Sequence, residues 1–400
     1  LLRVQQILAA LLVMLANGAG VADKTLVLLF TEDWFFASHF LKRALAAKAA
    51  GWRVILVASS GEATFAIRDA GIEVIPVAFN RRRTNPLPEM LFTLKLARLY
   101  RRLKPDLVHH VALKPILIGG IAARMAGVPA IVNAPVGLGF VFSSDKLLAK
   151  ILKPVVSLML RSTLSPGNAQ VIFENPDDLE ELVKRNRVRR GAAVIIQGAG
   201  VDIDEFSPAP EPPPPVRVIL IARMIREKGI GDFVEAARIL RRSNSLAQFV
   251  LVGAPDPGNP NSVGEGELRA WQAEGLVEWL GPRTDVAALL RSAHIACQPS
   301  SYREGLPKSA LEAMASGKPL VATDIPGCRE AVVDGETGVL VPPRQPVALA
   351  EALQTLIESP ELRIRMGLAG RRRAEHYFAD AIICHQTLLV YEALVNRSAP

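Results

Sequence analysis

The feature that most constrains this chain is an alternation of short, continuous apolar runs with longer helical stretches, interrupted once by prolines and then begun again. Residues 26–30 (LVLLF) precede a polar loop and a helical stretch over 41–50 that Gly51 ends. Residues 54–58, 72–77, a short run around Leu107 and Val108, and 130–133 repeat the theme. Runs this short and uniformly apolar suit strands buried on both faces, and strands separated by helices pair in parallel. Residues 207–215 (SPAPEPPPP) lack the backbone donors of a helix or central strand and predict a stiff, extended linker. Behind it the alternation restarts at 216–221, followed by a helix from about Gly231 and apolar runs at 249–252, 277–280, 295–298 and 320–322. The expected fold class is α/β: two Rossmann-like, doubly wound domains facing each other across a cleft. The expected divisions are a first domain over 25–206, the linker, a second domain over 216–380, and a final helix over 381–400 that returns to the first domain.

Composition narrows what such a protein can do. At 400 residues the chain exceeds one ordinary core and fits two domains. With half its residues hydrophobic and 22% charged, it is neither disordered nor collagen-like. Cys297, Cys328 and Cys384 stand far apart without a CxxC pair, which suits a reducing compartment and offers neither a disulfide framework nor a zinc site. The net charge of +8 favours an anionic partner. In 90–104, behind Arg81, Arg82 and Arg83, Leu91, Leu94, Leu99 and Leu103 recur at helical spacing beside Lys95, Arg98, Arg101 and Arg102. In 146–161, Leu147, Leu148, Ile151 and Leu152 accompany Lys146, Lys150 and Lys153. Both stretches fit helices lying on an anionic bilayer, and fit equally well amphipathic core helices with solvated basic faces. Aromatic residues are not interleaved with the basic ones as a single-strand binder requires, so no nucleic-acid partner is expected. Residues 7–16 (ILAALLVMLA), behind Arg3, look like a signal-peptide core but are too short to span a bilayer; residues 1–24 are read as an atypical extension.

The chemistry concentrates in two segments of the second half. In 300–343, Gly305 and Pro307 introduce a helix that runs to about Ser316 and stops at Gly317. Glu304 then lies in the loop at the helix start, and Glu312 two turns further on. Unpaired N–H groups and the positive dipole end make that start a seat for a diphosphate. Glu312 is placed to accept ribose hydroxyls, and Glu304 those of a sugar beyond the phosphates. Either glutamate alone reads as an ordinary solvated helix charge. In 221–229 (IARMIREKG), Arg223 marks the end of the second domain's first strand and Lys228 follows five residues later. A guanidinium and an ammonium at a strand's carboxyl end suit a diphosphate leaving group, although a βα loop often carries surface charge.

Arg223, Lys228, the Glu304-x7-Glu312 pair and the Gly-Lys-Pro and Gly-x-x-Glu punctuation behind them resemble the donor-site signature of the large retaining glycosyltransferase family known as family 4, whose fold is GT-B. In the first half, TEDWFFASHF (31–40), RRRTNP (81–86), PDLVHHVALKP (105–115) and GLGFVFSS (137–144) resemble the subgroup that builds capsule, O-antigen and lipid-carried glycans. The resemblance implies a first domain on the acceptor side and a second that binds a nucleotide sugar, UDP-linked by subgroup. It implies that Arg223 and Lys228 neutralise the departing diphosphate, that the N–H groups of Gly305 and Leu306 help hold it, and that Glu304 orients the donor sugar and Glu312 the ribose. Retention by a same-face route, in which the leaving phosphate takes the acceptor's proton, needs neither a protein nucleophile nor, usually, a metal; no cofactor is expected. The implied acceptor is a lipid-linked glycan at the inner face of the cell membrane, with the enzyme cytoplasmic and peripheral on the anionic surface.

The chain departs from the family pattern in its first half. Asp33 to Ser38 replace a glycine pair common in the first loop, and Phe40 stands where arginine is usual after Ser-His, leaving the role of His39 open. His109-His110-Val111 stands in place of His-x-His; His109, or His110 in its stead, is assigned to touch the donor sugar, against the alternative of a packed strand-end histidine. Gly137 and Gly139 either let a loop approach the donor or acceptor, or form an ordinary tight turn. Asp202-Ile203-Asp204 is assigned to the hinge, not to a metal. GxSxG and Walker motifs are absent from the sequence. The glutamates accompany phosphate-binding cations, which disfavours a glycosidase. A nucleotide-sugar epimerase of similar fold, and a non-catalytic scaffold of a glycan-assembly complex, are the remaining alternatives.

Overall fold

A computed structural model of the chain describes residues 24–79, 86–136 and 162–398. The N-terminal extension up to residue 23, Arg81 to Arg83, Gly137, Gly139 and the basic stretch 146–161 lie outside the described residues.

The apolar runs form two parallel sheets. The first contains β1 (Thr25–Glu32), β2 (Arg53–Ser59), β3 (Glu73–Pro76), β4 (Leu107–Val111), β5 (Ala130–Ala134), β6 (Ala169–Phe173) and β7 (Ala193–Ile195), ordered 3-2-1-4-5-6-7. The second contains β8 (Arg217–Ile221), β9 (Gln248–Val252), β10 (Glu278–Trp279), β11 (Ile295–Gln298), β12 (Leu320–Thr323) and β13 (Gly338–Val341), ordered 10-9-8-11-12-13. Strand β1 shows why unbroken apolarity is required. Leu26, Leu28 and Phe30 pack on one face with Phe36 and Phe40, while Val27 and Leu29 pack on the other with Leu96 and Tyr100. A strand covered on both sides has no solvent face to make polar. Strands β6, β7 and β13 do not stand out among the apolar runs: β7 is three residues long, and β13 is enclosed in glycine-rich punctuation.

The proline-rich segment after Phe206 forms neither helix nor strand, and it is anchored. Glu211 makes two hydrogen bonds, of 2.6 and 2.8 Å, to the guanidinium of Arg363, which is itself buried. The chain crosses between the sheets a second time beside the first: Val201 donates to Phe378 O at 2.9 Å and accepts from Asp380 N–H at 3.0 Å. The closing helix, Asp380–Ser398, packs on the first sheet through Ile383, Tyr391 and Leu394. Its Tyr391 hydroxyl lies 2.7 Å from His109 Nδ1, and Glu392 pairs with Lys24 at 2.6 Å and accepts from Trp52 Nε1 at 3.0 Å.

Among the described residues His109 Nε2 is buried without a hydrogen-bond partner, and the Tyr391 hydroxyl is the one group satisfying that ring. Tyr391→Phe should cost about 1–2 kcal/mol by orphaning Nδ1, measured as a lower urea midpoint with unchanged slope.

Candidate functional site

In open parallel sheets ligands sit at the carboxyl ends of the strands, where neighbouring connections leave in opposite directions. The strand orders put those points between β1 and β4 in the first sheet and between β8 and β11 in the second. Helix α1 (Asp33–His39) leaves the end of β1. The loop from Ala222 to Gly229 leaves β8, and the loop from Pro299 to Pro307 leads from β11 into helix α2 (Lys308–Ala315).

Lys228 and Glu304 meet there. Gly229 has φ 72°, and a Cβ on it would lie 1.9 Å from Pro299 O, so only glycine lets the two loops touch. Ser301 N–H donates to Glu227 O at 2.8 Å and fastens the contact. The ammonium of Lys228 then bonds Glu304 Oε2. Glu304 Oε1 accepts from the Ser300 hydroxyl and, at 3.4 Å, from Gln298 Nε2, while Gln298 Oε1 accepts from Ser309 at 2.9 Å. Glu304 is only 7% exposed, and Tyr302 places its ring 5.7 Å from the ammonium. Burial pulls the Lys228 pKa down, but the Glu304 carboxylate outweighs it and holds the group above its ordinary value. The lysine therefore stays charged. Gln298, Ser300, Tyr302 and Ser309 are neutral residues without a spacing signature, and only the fold gathers them around the carboxylate.

Arg223 stands one step along the same edge. It is exposed, pairs with Asp256 at 2.8 Å, and lines a cleft of about 460 Å³ with Trp34, Pro257, Pro282 and Arg283. It makes no direct bond to the Lys228–Glu304 pair, although both cations act on the Tyr302 hydroxyl, whose pKa burial and Glu304 raise against them. Among the described residues no group of His, Cys, Asp and Glu is arranged to hold a metal ion.

Three groups assigned to the donor meet protein partners in the structure. His109 and His110 are both fully buried, because β4 is covered on both faces. His109 meets Tyr391 and the edge of Phe40, and His110 meets Asn133 at 3.0 Å and Tyr100 at 3.3 Å. Burial holds both rings below the ordinary histidine pKa, His110 at about 4, so they are neutral core groups that present no atom to the cleft. Glu312 is 8% exposed and paired with Lys308 at 3.4 Å, and it is not part of the Arg223 cleft wall. Burial, only partly opposed by Lys308, raises its pKa. Finally, the Leu306 N–H is not open: it donates at 3.1 Å to Glu174 Oε2, which arrives from the end of β6. A Cβ on Gly305 would sit 1.6 Å from that oxygen, so glycine is what admits the carboxylate.

The same junction carries three more contacts between the sheets: Arg303 with Asp178 at 2.9 Å, Arg329 with Asp177 at 3.2 Å, and Asn175 Nδ2 with Glu304 O at 3.3 Å. Asn175 also caps the helix Pro176–Lys184, accepting from Asp178 N–H, so one turn orders both roles.

Residues 202–373 match the family model described as glycosyl transferases group 1, and residues 25–173 match glycosyl transferase 4-like. With one such match in each half, the chain is a glycosyltransferase. It is 28% identical over 358 residues, 86% of this chain and 92% of the relative, to the N,N'-diacetylbacillosaminyl-diphospho-undecaprenol alpha-1,3-N-acetylgalactosaminyltransferase of Campylobacter jejuni. The capsular polysaccharide biosynthesis glycosyltransferase CapM of Staphylococcus aureus is 25% identical over 178 residues, 44% of this chain and 46% of CapM. Among solved structures, Anabaena HepE in complex with UDP-glucose superposes with a TM-score of 0.75 at 18% identity, covering 92% of this chain and 99% of HepE. A glycosyltransferase from Rickettsia africae gives 0.75 at 18%, covering 93% and 99%. The two facing domains of the glycosyltransferase thus form a GT-B fold.

Glu174 makes the interdomain contact of this glycosyltransferase pH-dependent. Its enclosure raises its pKa from the ordinary 4.5 to about 7, with Arg43 opposing. The folded state disfavours the ionised form, so the contribution of this one group to stability is fully present below about 4.5 and is lost as pH rises through about 7. Glu174→Gln, neutral and still an acceptor, should raise the melting temperature over wild type at pH 8 and leave it nearly equal at pH 4.5.

Proposed function

We propose that this glycosyltransferase moves a hexose or N-acetylhexosamine from a UDP-sugar to a lipid-linked glycan, with retention at the anomeric carbon. The observation that carries the reading is the Lys228–Glu304 pair at the second sheet's switch point, beside the Arg223 cleft and facing the first sheet's switch point. A fixed ammonium and a nearby guanidinium suit a leaving diphosphate. The charge that develops as the C1–O bond breaks meets cations already in place. The acceptor oxygen then bonds C1 from the face the phosphate leaves, and the departing phosphate oxygen takes the acceptor's proton. Glu304, its carboxylate oriented by Ser300 and Gln298, is assigned to the donor sugar's hydroxyls. Glu312 is assigned to the ribose, which requires Lys308 to swing aside. With Arg223 and Lys228 neutralising the phosphates, the reaction is assigned no metal and no other cofactor.

The undecaprenol-linked substrate in the Campylobacter relative's name and the UDP-glucose in the HepE complex support the acceptor and donor classes. Peripheral binding at the inner membrane face is supported by the helix Pro86–Leu103. Its first turns expose Leu87, Met90 and Leu91, and its later ones expose Lys95, Arg98, Arg101 and Arg102. Apolar groups able to enter the interface stand next to cations able to meet anionic headgroups. No helix among the described residues is long and apolar enough to cross a membrane.

Lys228→Ala should lower turnover about a hundred- to a thousandfold, and Arg223→Ala should weaken UDP-sugar binding, while EDTA leaves the wild-type rate unchanged. The assignment fails if both variants keep full affinity and turnover. Sugar conversion without an acceptor would identify an epimerase, and folded protein that binds no nucleotide sugar would identify a scaffold. Serine at Leu87, Met90 and Leu91 together should reduce sedimentation with phosphatidylglycerol vesicles severalfold, without changing UDP affinity in solution.

A further inference from the structure

Trp34 is built to be exposed. Its predecessor Asp33 is 2% exposed and accepts at 2.7 Å from both Gly61 N–H and the Thr64 hydroxyl, which pins the start of α1. Phe36 is fully buried, and Phe35 meets the indole edge-on at 5.8 Å. In this fixed frame Trp34 alone of the three consecutive aromatic residues remains 44% exposed, and it faces the second domain. It closes one side of the cleft whose other walls are Arg223, Gly253, Pro257, Pro282 and Arg283. A large aromatic face on a fixed mount at the wall of a cleft is suited to stacking on a planar ligand.

The place of the cleft decides which part of a donor it meets. Glu304 and Lys228 stand where the β8 and β11 loops touch, on one side of the second switch point. The cleft lies on the other side, over the ends of β8 and β9 and the loop after β10, and Arg223 stands between the two. A nucleotide sugar with its diphosphate near Arg223 and its sugar at Glu304 therefore runs its base outward into the cleft. Valine, alanine and proline side chains in its walls offer apolar surface for a ring.

We propose that Trp34, reaching across from the first domain, stacks on the nucleoside end of the donor and is a donor-binding residue of this enzyme. The inference rests on the nucleotide-sugar reading above. Because the ring belongs to one domain and the rest of the slot to the other, base binding and closure of the cleft become a single event. The indole also confines the slot's height, favouring a planar base and leaving the transferred sugar untouched.

The test is calorimetric binding of UDP, GDP and ADP to the full chain, wild type beside Trp34→Ala and Trp34→Phe, with intrinsic fluorescence read in parallel. For whichever nucleotide binds tightest, Trp34→Ala should weaken binding about tenfold, the loss of one stacked ring. Trp34→Phe should keep most of the affinity but lose most of the nucleotide-induced quenching. In turnover, the alanine variant should raise the donor KM with kcat little changed. Unaltered nucleotide affinity in Trp34→Ala, or quenching that appears only with the acceptor, overturns the stacking role while the donor site stands. If the folded wild-type protein binds none of the three nucleotides, the donor reading itself fails and this inference with it.

Discussion

The site depends on one ion pair removed from most solvent. Lys228 and Glu304 come from different loops of the second domain and lose hydration to meet. Taking two charges out of water is costly, and their attraction repays it only if the remaining lone pairs are satisfied. Ser300 and Gln298 supply that satisfaction on the far oxygen of the carboxylate, and Ser309 holds Gln298 in turn. The pair is possible at all because Gly229 lacks a Cβ where Pro299 O approaches. Local backbone freedom, side-chain hydrogen bonding and the pairing of two buried charges are therefore one construction.

The two domains are joined by the same chemistry that the donor would use. Glu174 places a carboxyl oxygen on the Leu306 N–H, at the loop that introduces α2, so an acceptor from the first domain occupies a donor group of the second. Arg303 and Arg329 meet Asp178 and Asp177 on either side. On the reading proposed above, a donor diphosphate entering this loop would meet those partners. The paired crossings at Val201 and Ala379 lie together at one point.

Much of this architecture is legible in order along the chain. Buried parallel strands must be apolar throughout, so β1, β2, β8 and β11 declare themselves. Gly51 and Gly317, with φ of 88° and 69°, end helices where glycine is expected to end them. Arg223, Lys228 and Glu304 carry the chemistry of a phosphate and sugar site in their residue types. A histidine at a strand end has the same spelling whatever it meets, and the sequence does not show that His109 meets a tyrosine hydroxyl brought from 282 positions away. Glu174 carries no signal, since its meaning depends on a partner 132 residues later.

From the order of residues alone come the features that local physics dictates: the alternating elements, the proline-stiffened crossing, the helix ends and the presence of two cations and two carboxylates suited to a nucleotide sugar. Which of these meet is a matter of tertiary structure. The fold paired Lys228 with Glu304 and Arg223 with Asp256, gave Glu312 to Lys308, buried both histidines, and set Trp34 across the cleft. The reason is one of range. Backbone preferences and apolar periodicity act over a few residues, whereas the burial, charge and hydrogen bonding of a side chain are set by neighbours that the fold brings from far along the chain.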